Sequence, residues 1–285
     1  MLYFEVVTMP IIEQDSKNFP TAQRRDHTVV KSNDLIQKSR YELNILQNKV
    51  MLYLISMIKP TDDITQVYTF LVNDFCQVCG LDSRHGKNVK NAKDAIQSLA
   101  DKSVWIEKPN GDEILLRWLN QVKLTDGKSR FEVTFHADMM PYLYDLQARY
   151  TSYKLSNVLP MKSKYGIRLY ELLKSYQHMN ANTITFLMGE LSDRLGAQKY
   201  ERFADFKRRV LDTAMEDINE YSDLDVEYTP YSTSGKQRGF DGIRFTINEP
   251  TALDKEIRAI RQERKLDSQT KASFKTLIEA ITPEN

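Results

Sequence analysis

Arg208 and Arg209 stand side by side in Q-K-Y-E-R-F-A-D-F-K-R-R-V, residues 198–210, where five basic residues face only Glu201 and Asp205. An arginine carries a planar fork of donors that can bond guanine O6 and N7 together, whereas a lysine is a point charge suited to phosphate. Phe203, Phe206, Val210, Ala214, Ile218 and Tyr221 recur at spacings of three and four, so residues 202–221 predict a helix. At about 100° per residue Arg208 and Arg209 point away from that seam, and Lys207 lies near its edge and must snorkel. Bases early in a helix run against its macrodipole, so propensity does not explain them; a phosphate or a base edge would. Lys199, Tyr200 and Arg202, on the approach to the helix, join the set of candidate contacts. The competing explanation is a solvated face with salt bridges to Glu201, Asp205 and Asp212.

Three more clusters carry the same chemistry. Lys236 and Arg238 sit in the turn S-T-S-G-K-Q-R-G, where a hairpin tip would reach a phosphate or the minor groove. Residues 84–93, R-H-G-K-N-V-K-N-A-K, hold four bases and no acid. Helical phase exposes Lys87, Lys90 and Asn91 there, and asparagine is the usual two-bond partner of adenine; a face for protein contacts fits those residues equally well. Lys162, Ser163 and Lys164 follow Pro160 at a helix start, where backbone amides and two ammonium groups would seat a phosphate. Residues 212–227 then hold seven acids and no Lys or Arg, so charge is zoned by sign although the chain totals 40 bases against 39 acids.

Catalytic chemistry is thin by contrast. Cys76 and Cys79 form C-x-x-C, but His27, His85, His136 and His178 stand apart from them and from one another, so a core or boundary helix explains the cysteines better than a metal. There is no G-x-x-x-x-G-K-[ST] for a nucleoside triphosphate, no G-x-G-x-x-G for a dinucleotide, and no His-x-His beside a nucleophilic Tyr, as a rolling-circle nickase would need. Asp62-Asp63 and Asp223-x-Asp225 read as a loop cap and a strand start. No metal, no cofactor and no enzymatic activity are expected.

The elements that must position the basic residues come from a repeat. Y-T-F-L-V-N-D-F-C-Q-V-C-G at residues 68–80 returns as I-T-F-L-M-G-E-L-S-D-R-L-G at residues 184–196, an offset of 116. Each copy predicts a short strand running into a two-turn helix closed by Gly80 or Gly196. Upstream of each lies an apolar-periodic helix, residues 43–58 and 161–177, and downstream the basic helix, residues 86–103 and 202–221. Beyond each basic helix a hairpin is expected: residues 104–106 with 113–118 around Asn110-Gly111, and residues 224–228 with 242–247 around Gly235. Helix, strand, helix, helix, hairpin is the order of a winged helix. The expected fold is therefore α+β and mainly helical, two tandem winged-helix domains related by internal duplication, at residues 28–147 and 148–250. Residues 1–27 read as a loose arm. Residues 251–285 read as an exposed, charged, partly helical tail with a weak apolar spacing at Leu253, Ile257 and Ile260.

With 41% hydrophobic and 28% charged residues the chain falls among soluble globular proteins, neither disordered nor disulfide-stapled. No long apolar run offers a membrane span, and residues 1–10 lack the basic start of a signal peptide, which makes cytoplasm the expected compartment.

Three stretches resemble the replication initiator (Rep) proteins of iteron-carrying, theta-replicating plasmids: V-V-K-S-N-D-L-I (29–36), K-S-K-Y-G-I-R-L-Y-E-L-L (162–173) and Y-x-x-F-x-D-F-K-R-R-V-L-x-x-A-x-x-D-I-N (200–219). Together they span most of residues 29–248, and the last is the most specific. The resemblance implies two winged-helix domains whose monomers bind direct repeats at an origin and help to melt it. It also implies dimers, joined through the first domain, that bind an inverted repeat and repress the protein's own gene, and contacts with the host initiator and the replicative helicase. By the family pattern the second domain dominates repeat binding, which falls on Arg208, Arg209 and the turn from Lys236 to Arg238. The arm at residues 1–27 departs from the pattern. The alternatives are a dimeric winged-helix transcriptional regulator without initiator activity and a strand-nicking replication enzyme.

Overall fold

The computed structural model describes residues 25–125, 127, 129–177, 182–232 and 240–266. The arm up to residue 24, the basic turn with Lys236 and Arg238, His178 and the tail from residue 267 lie outside the described residues.

Strand β1 (Thr28–Ser32) leads into helix α1 (Asn33–Gln37), with Ser32 Oγ accepting from the Leu35 amide as its N-cap. After β2 (Ser39–Arg40), helix α2 (Ile45–Ile55) opens on a capping box in which Asn44 and Gln47 bond one another's backbone amides. Then come β3 (Tyr68–Leu71), α3 (Val72–Val78), the basic helix α4 (Gly86–Ser98), β4 (Ser103–Glu107), β5 (Glu113–Arg117), β6 (Leu119–Thr125) and β7 (Arg130–Phe135). The second half runs β8 (Tyr150–Lys154), α5 (Lys164–Gln177), β9 (Thr183–Leu187), α6 (Met188–Leu195), α7 (Phe203–Phe206), a π-helical stretch (Lys207–Leu211), α8 (Asp212–Tyr221), β10 (Asp225–Tyr231), β11 (Gly242–Asn248) and α9 (Ala252–Leu266).

The repeated phrase folds the same way twice. Tyr68 and Phe70 of β3, and Ile184 and Phe186 of β9, point into the core while the residues between them face out. Each strand feeds a short helix, and Gly80 (φ 66°) and Gly196 (φ 62°) end that helix in the left-handed region, which an L side chain enters only at a cost. Both copies then build a three-stranded antiparallel sheet. β11 lies between β9 and β10, with Ile243 opposite Phe186; β7 lies between β3 and β6, with Phe131 opposite Phe70.

That pairing corrects one expectation. The hairpin answering β10–β11 in the first half is β6–β7, not residues 104–118. β4–β5 is a separate hairpin that pairs with β2 through Ser39 and Ile106. The turn between β6 and β7 carries Asp126-Gly127, the strongest short hairpin signal in a sequence, with Gly127 at φ 61°. Asn110-Gly111 carries the same signal one hairpin earlier, and only the partner strand distinguishes the two.

The halves are joined by structure that no local pattern announced. β1 pairs with β8, Val29 opposite Tyr153. Beneath that ribbon Lys31 Nζ lies 2.6 Å from Glu171 Oε1, and Tyr153 Oη donates to the same carboxylate at 2.5 Å. Arg168 stacks on the Tyr41 ring at 4.3 Å, donates to Tyr41 Oη and the Arg194 carbonyl, and lies 3.5 Å from Glu171 Oε2. Burial alone would raise the Glu171 carboxyl, but Lys31 and Arg168, with bonds from Lys31 and Tyr153, bring it below its ordinary value.

Candidate nucleic-acid interface

Helix α7, the π-helical stretch and α8 run on without a break, since Lys207 and Asp212 at the two junctions both keep helical dihedrals. Phe206, Val210, Leu211, Ala214, Ile218 and Tyr221 bury one side of this rod against the second half. The π-helical stretch, where one extra residue widens the turn, holds Lys207, Arg208 and Arg209; such turns are rare and frequent at functional sites. All three cations face solvent. Lys207 is tied to Asp212 at 2.9 Å, and Tyr228 Oη donates to that carboxylate at 2.8 Å. Arg208 reaches Asp205 at 3.3 Å, but its side chain is 68% exposed, and such a pair is worth about 0–1 kcal/mol. Both contacts belong to the salt-bridged face weighed against DNA contact in the sequence. Arg209 makes no ion pair among the described residues and instead lines a cleft.

That cleft, of about 720 Å³, lies between the halves. The second half brings Arg209, Lys162, Ser163 and Lys164 to it, and the first half brings Lys102 and the start of α2 at Asn44. Glu42, Glu216 and Asp217 stand on its walls beside Lys102, Lys162, Lys164 and Arg209, so bases and acids are mixed there. Two tyrosines, Tyr165 on its wall and Tyr200 beside that ring, continue the row of cations. Lys164 Nζ lies 5.0 Å over the Tyr165 ring, Tyr165 meets Tyr200 edge-on at 6.3 Å, and Lys199 Nζ lies 5.0 Å over the Tyr200 ring. Arg202 caps the N-terminus of the rod and is exposed.

The phosphate seat expected at the start of α5 is already filled. The Lys162 amide donates to both oxygens of Asp217 at 3.1 and 3.0 Å, and the Ser163 amide donates to Asp217 Oδ2 at 2.6 Å. Burial raises the Asp217 carboxyl, and those two amides pull it back only in part. Asp217 comes from α8, 54 residues further along the chain, so nothing local to Pro160 shows that these donors are spent. With those two amides spent, the side chains of Lys162 and Lys164 carry what this seat offers an anion. Gly166 makes the approach of α5 to α8 possible, because a Cβ there would sit 2.8 Å from Asp217 Oδ2.

In the first half α4 buries Ala92, Ala95 and Ile96 and exposes Lys87, Lys90 and Asn91 together, as the phase argument requires. None of the three has an ion pair or side-chain bond among the described residues. Lys90 and Lys93 line a groove of about 590 Å³ with Asn73 of α3, Gln97 and Leu124. Arg84 is held apart from them by a two-bond pair with Asp82, which keeps that carboxyl at about 2. Lys102, Asn73 and Gln97 were not singled out in the sequence. Asn73 is visible there as the residue beside Asp74 in the repeated phrase, whereas Lys102 reaches the cleft only through the tertiary fold.

The residues set aside for catalysis have structural duties. Cys76 and Cys79 are buried and free, and burial pushes their thiols up to about 11 and about 12. Asp62 accepts from the Lys59 amide and Tyr68 Oη, and Asp63 from Thr65. Asp223 binds Tyr170 and Lys174, and Asp225 binds Arg258. Among the described residues no helix is long and apolar enough to cross a membrane.

Two helix-turn-helix units, each with a hairpin closing its sheet and a basic helix turned to solvent, define a DNA-binding protein of the tandem winged-helix class. Residues 28–174 match the family model for the first winged helix of initiator replication proteins (WH1), and residues 187–247 match the model for the second (WH2). The chain belongs to this family, the replication initiators of plasmids. An uncharacterized 27.6 kDa protein of Escherichia coli is 25% identical over 222 residues, which are 73% of this chain and 91% of that one. The fold is also similar to that of the Pi initiator protein, solved in complex with iteron DNA, with a TM-score of 0.63 and 18% identity over 79% of this chain and 98% of that one.

Proposed function

We propose that the rod at Phe203–Tyr221 enters the major groove of origin direct repeats, with Arg208 and Arg209 meeting base edges. Lys162, Lys164, Lys199, Tyr200 and Arg202 then hold the flanking phosphates, and the turn with Lys236 and Arg238 holds the neighbouring backbone. The observation that carries this reading is the exposure of all three cations of the π-helical stretch, with Arg209, unpaired among the described residues, opening into a cleft that gathers Lys162 and Lys164. The first domain, residues 28–147, adds backbone contacts through Lys87, Lys90 and Asn91 and serves dimerisation. The second, residues 148–250, reads the repeat. The Pi initiator's complex with iteron DNA supports direct repeats as the target.

In this reading the protein works in the cytoplasm without catalysis, by binding and distorting duplex DNA, and meets the host initiator and helicase at the opened origin. As a dimer it also represses its own gene. A permanganate footprint on a supercoiled origin tests the central step: reactive thymines should appear beside the bound repeats. An origin that is bound but stays closed would leave only a transcriptional regulator. Open circles formed with Mg²⁺ or Mn²⁺ would make the protein a nicking enzyme.

A further inference from the structure

Helix α9 (Ala252–Leu266) is docked by its polar side. Arg258 is buried, donates to the carbonyls of Ser222 and Leu224, and pairs with Asp225 at 2.9 Å. Gln262 Nε2 reaches the Tyr221 carbonyl and Asn157 Oδ1. The aliphatic side chains stand on the other side, Leu253 64% exposed, Ile257 37% and Ile260 42%. That row lies roughly 150° round the helix from Arg258 and Gln262. A surface helix ordinarily turns its apolar stripe inward, and among the described residues this stripe has no cover.

The size of the stripe limits what can cover it. A stable complex between separate chains buries about 800 Å² a side, far more than three aliphatic side chains offer. A segment tethered to the same chain works at an effective concentration in the millimolar range and needs much less. Nineteen residues follow Leu266, and among them Phe274, Leu277, Ile278 and Ile281 repeat the stripe's seven-residue span. An antiparallel return would match Phe274 with Ile260, Leu277 with Ile257 and Ile281 with Leu253, and Glu279 with Lys255. The intervening residues 267–273 can span up to about 23 Å, and the return from residue 266 to the level of Ile260 needs about 9 Å.

We propose that residues 274–281 fold back along α9 and cover Leu253, Ile257 and Ile260. Cysteine pairs in the full chain test the register, since Cys76 and Cys79 are buried. Under mild oxidation Leu253→Cys with Ile281→Cys should close an intramolecular disulfide at least ten times faster than Leu253→Cys with Phe274→Cys, although the second pair is nearer in sequence. Equal rates, or faster closure of the 253/274 pair, would overturn the proposal. Cross-links between chains would overturn it in favour of a second copy. Hydrogen exchange gives a readout free of cysteines: Ile257→Lys should speed exchange of amides 274–281 at least tenfold, and unchanged exchange would sink the idea.

Discussion

The two basic helices carry similar charge under different restraint. On α4, Lys87 and Lys90 extend from one face and form no ion pair among the described residues. On the rod, Lys207 and Arg208 are held by Asp212 and Asp205, and Arg209 opens into a cleft with Lys162 and Lys164. A side chain already confined gives up less rotamer freedom when it binds, up to about 2 kcal/mol for a long cation. Confinement therefore favours the rod for contacts that need one geometry, such as a base edge, and leaves α4 suited to phosphates, which accept a point charge from many directions.

That contrast assumes that both helices ride on one body, and the largest prediction tests this. Lys31 and Tyr41 from the first half meet Arg168 and Glu171 from the second in a buried cluster. Glu171→Ala would strand two cations, so it should cost about 3–5 kcal/mol in urea unfolding, with both halves lost in one transition. Two separated transitions in the parent protein would break the comparison. The pH dependence has a definite sign. The Glu171 carboxyl sits below its ordinary value in the folded state, so its contribution is complete above the unfolded value of about 4.3 and drains as pH falls through the lower folded value. Glu171→Gln should flatten the stability profile below about pH 4.3 and leave its shape above that unchanged.

Next in size is the affinity difference between the helices. Arg209→Ala should cost about 1–3 kcal/mol on the cognate repeat and little on unrelated duplex. Lys87→Ala should weaken both alike and lower the slope of log affinity against log salt by about one. Titrations of both variants at three salt concentrations separate the roles, and a loss from Arg209→Ala that is equal on every sequence would erase the distinction. Gly166→Ala belongs beside these. It overpacks α5 against Asp217 and should lower stability by about 1–3 kcal/mol, despite alanine's better helix propensity.

Where the sequence was legible, the reason was local. Strand alternation, the glycine ends of α3 and α6 and the apolar seam of the rod each depend on neighbours within one turn, and each stands where the spacing put it. The exposure of Arg208, Arg209, Lys87, Lys90 and Asn91 followed from helical phase alone. What escaped depends on residues distant in the chain. Asp217 takes the amides of Lys162 and Ser163, β7 rather than β5 pairs with β3, and Lys102 arrives at the cleft from the other half. The π-helical stretch escaped for another reason, since one extra residue in a turn leaves an apolar spacing of three and four almost unchanged.

The smallest effect concerns the acid beside Arg208. Asp205 lies in the first turn of the rod, where a carboxylate suits the helix dipole, and its bridge to Arg208 is exposed. Removing both contributions with Asp205→Ala should lower stability by under about 1 kcal/mol. DNA binding should respond in the opposite direction, because a negative charge leaves the face that meets the phosphates. The gain should be a few-fold at low salt and should vanish near 1 M, where the screening length falls to about 3 Å. If the bridge instead sets the arginine's geometry, Asp205→Ala will weaken the cognate repeat while leaving unrelated duplex untouched. The sign of that one difference decides whether Arg208 is restrained for reading or merely neutralised until DNA arrives.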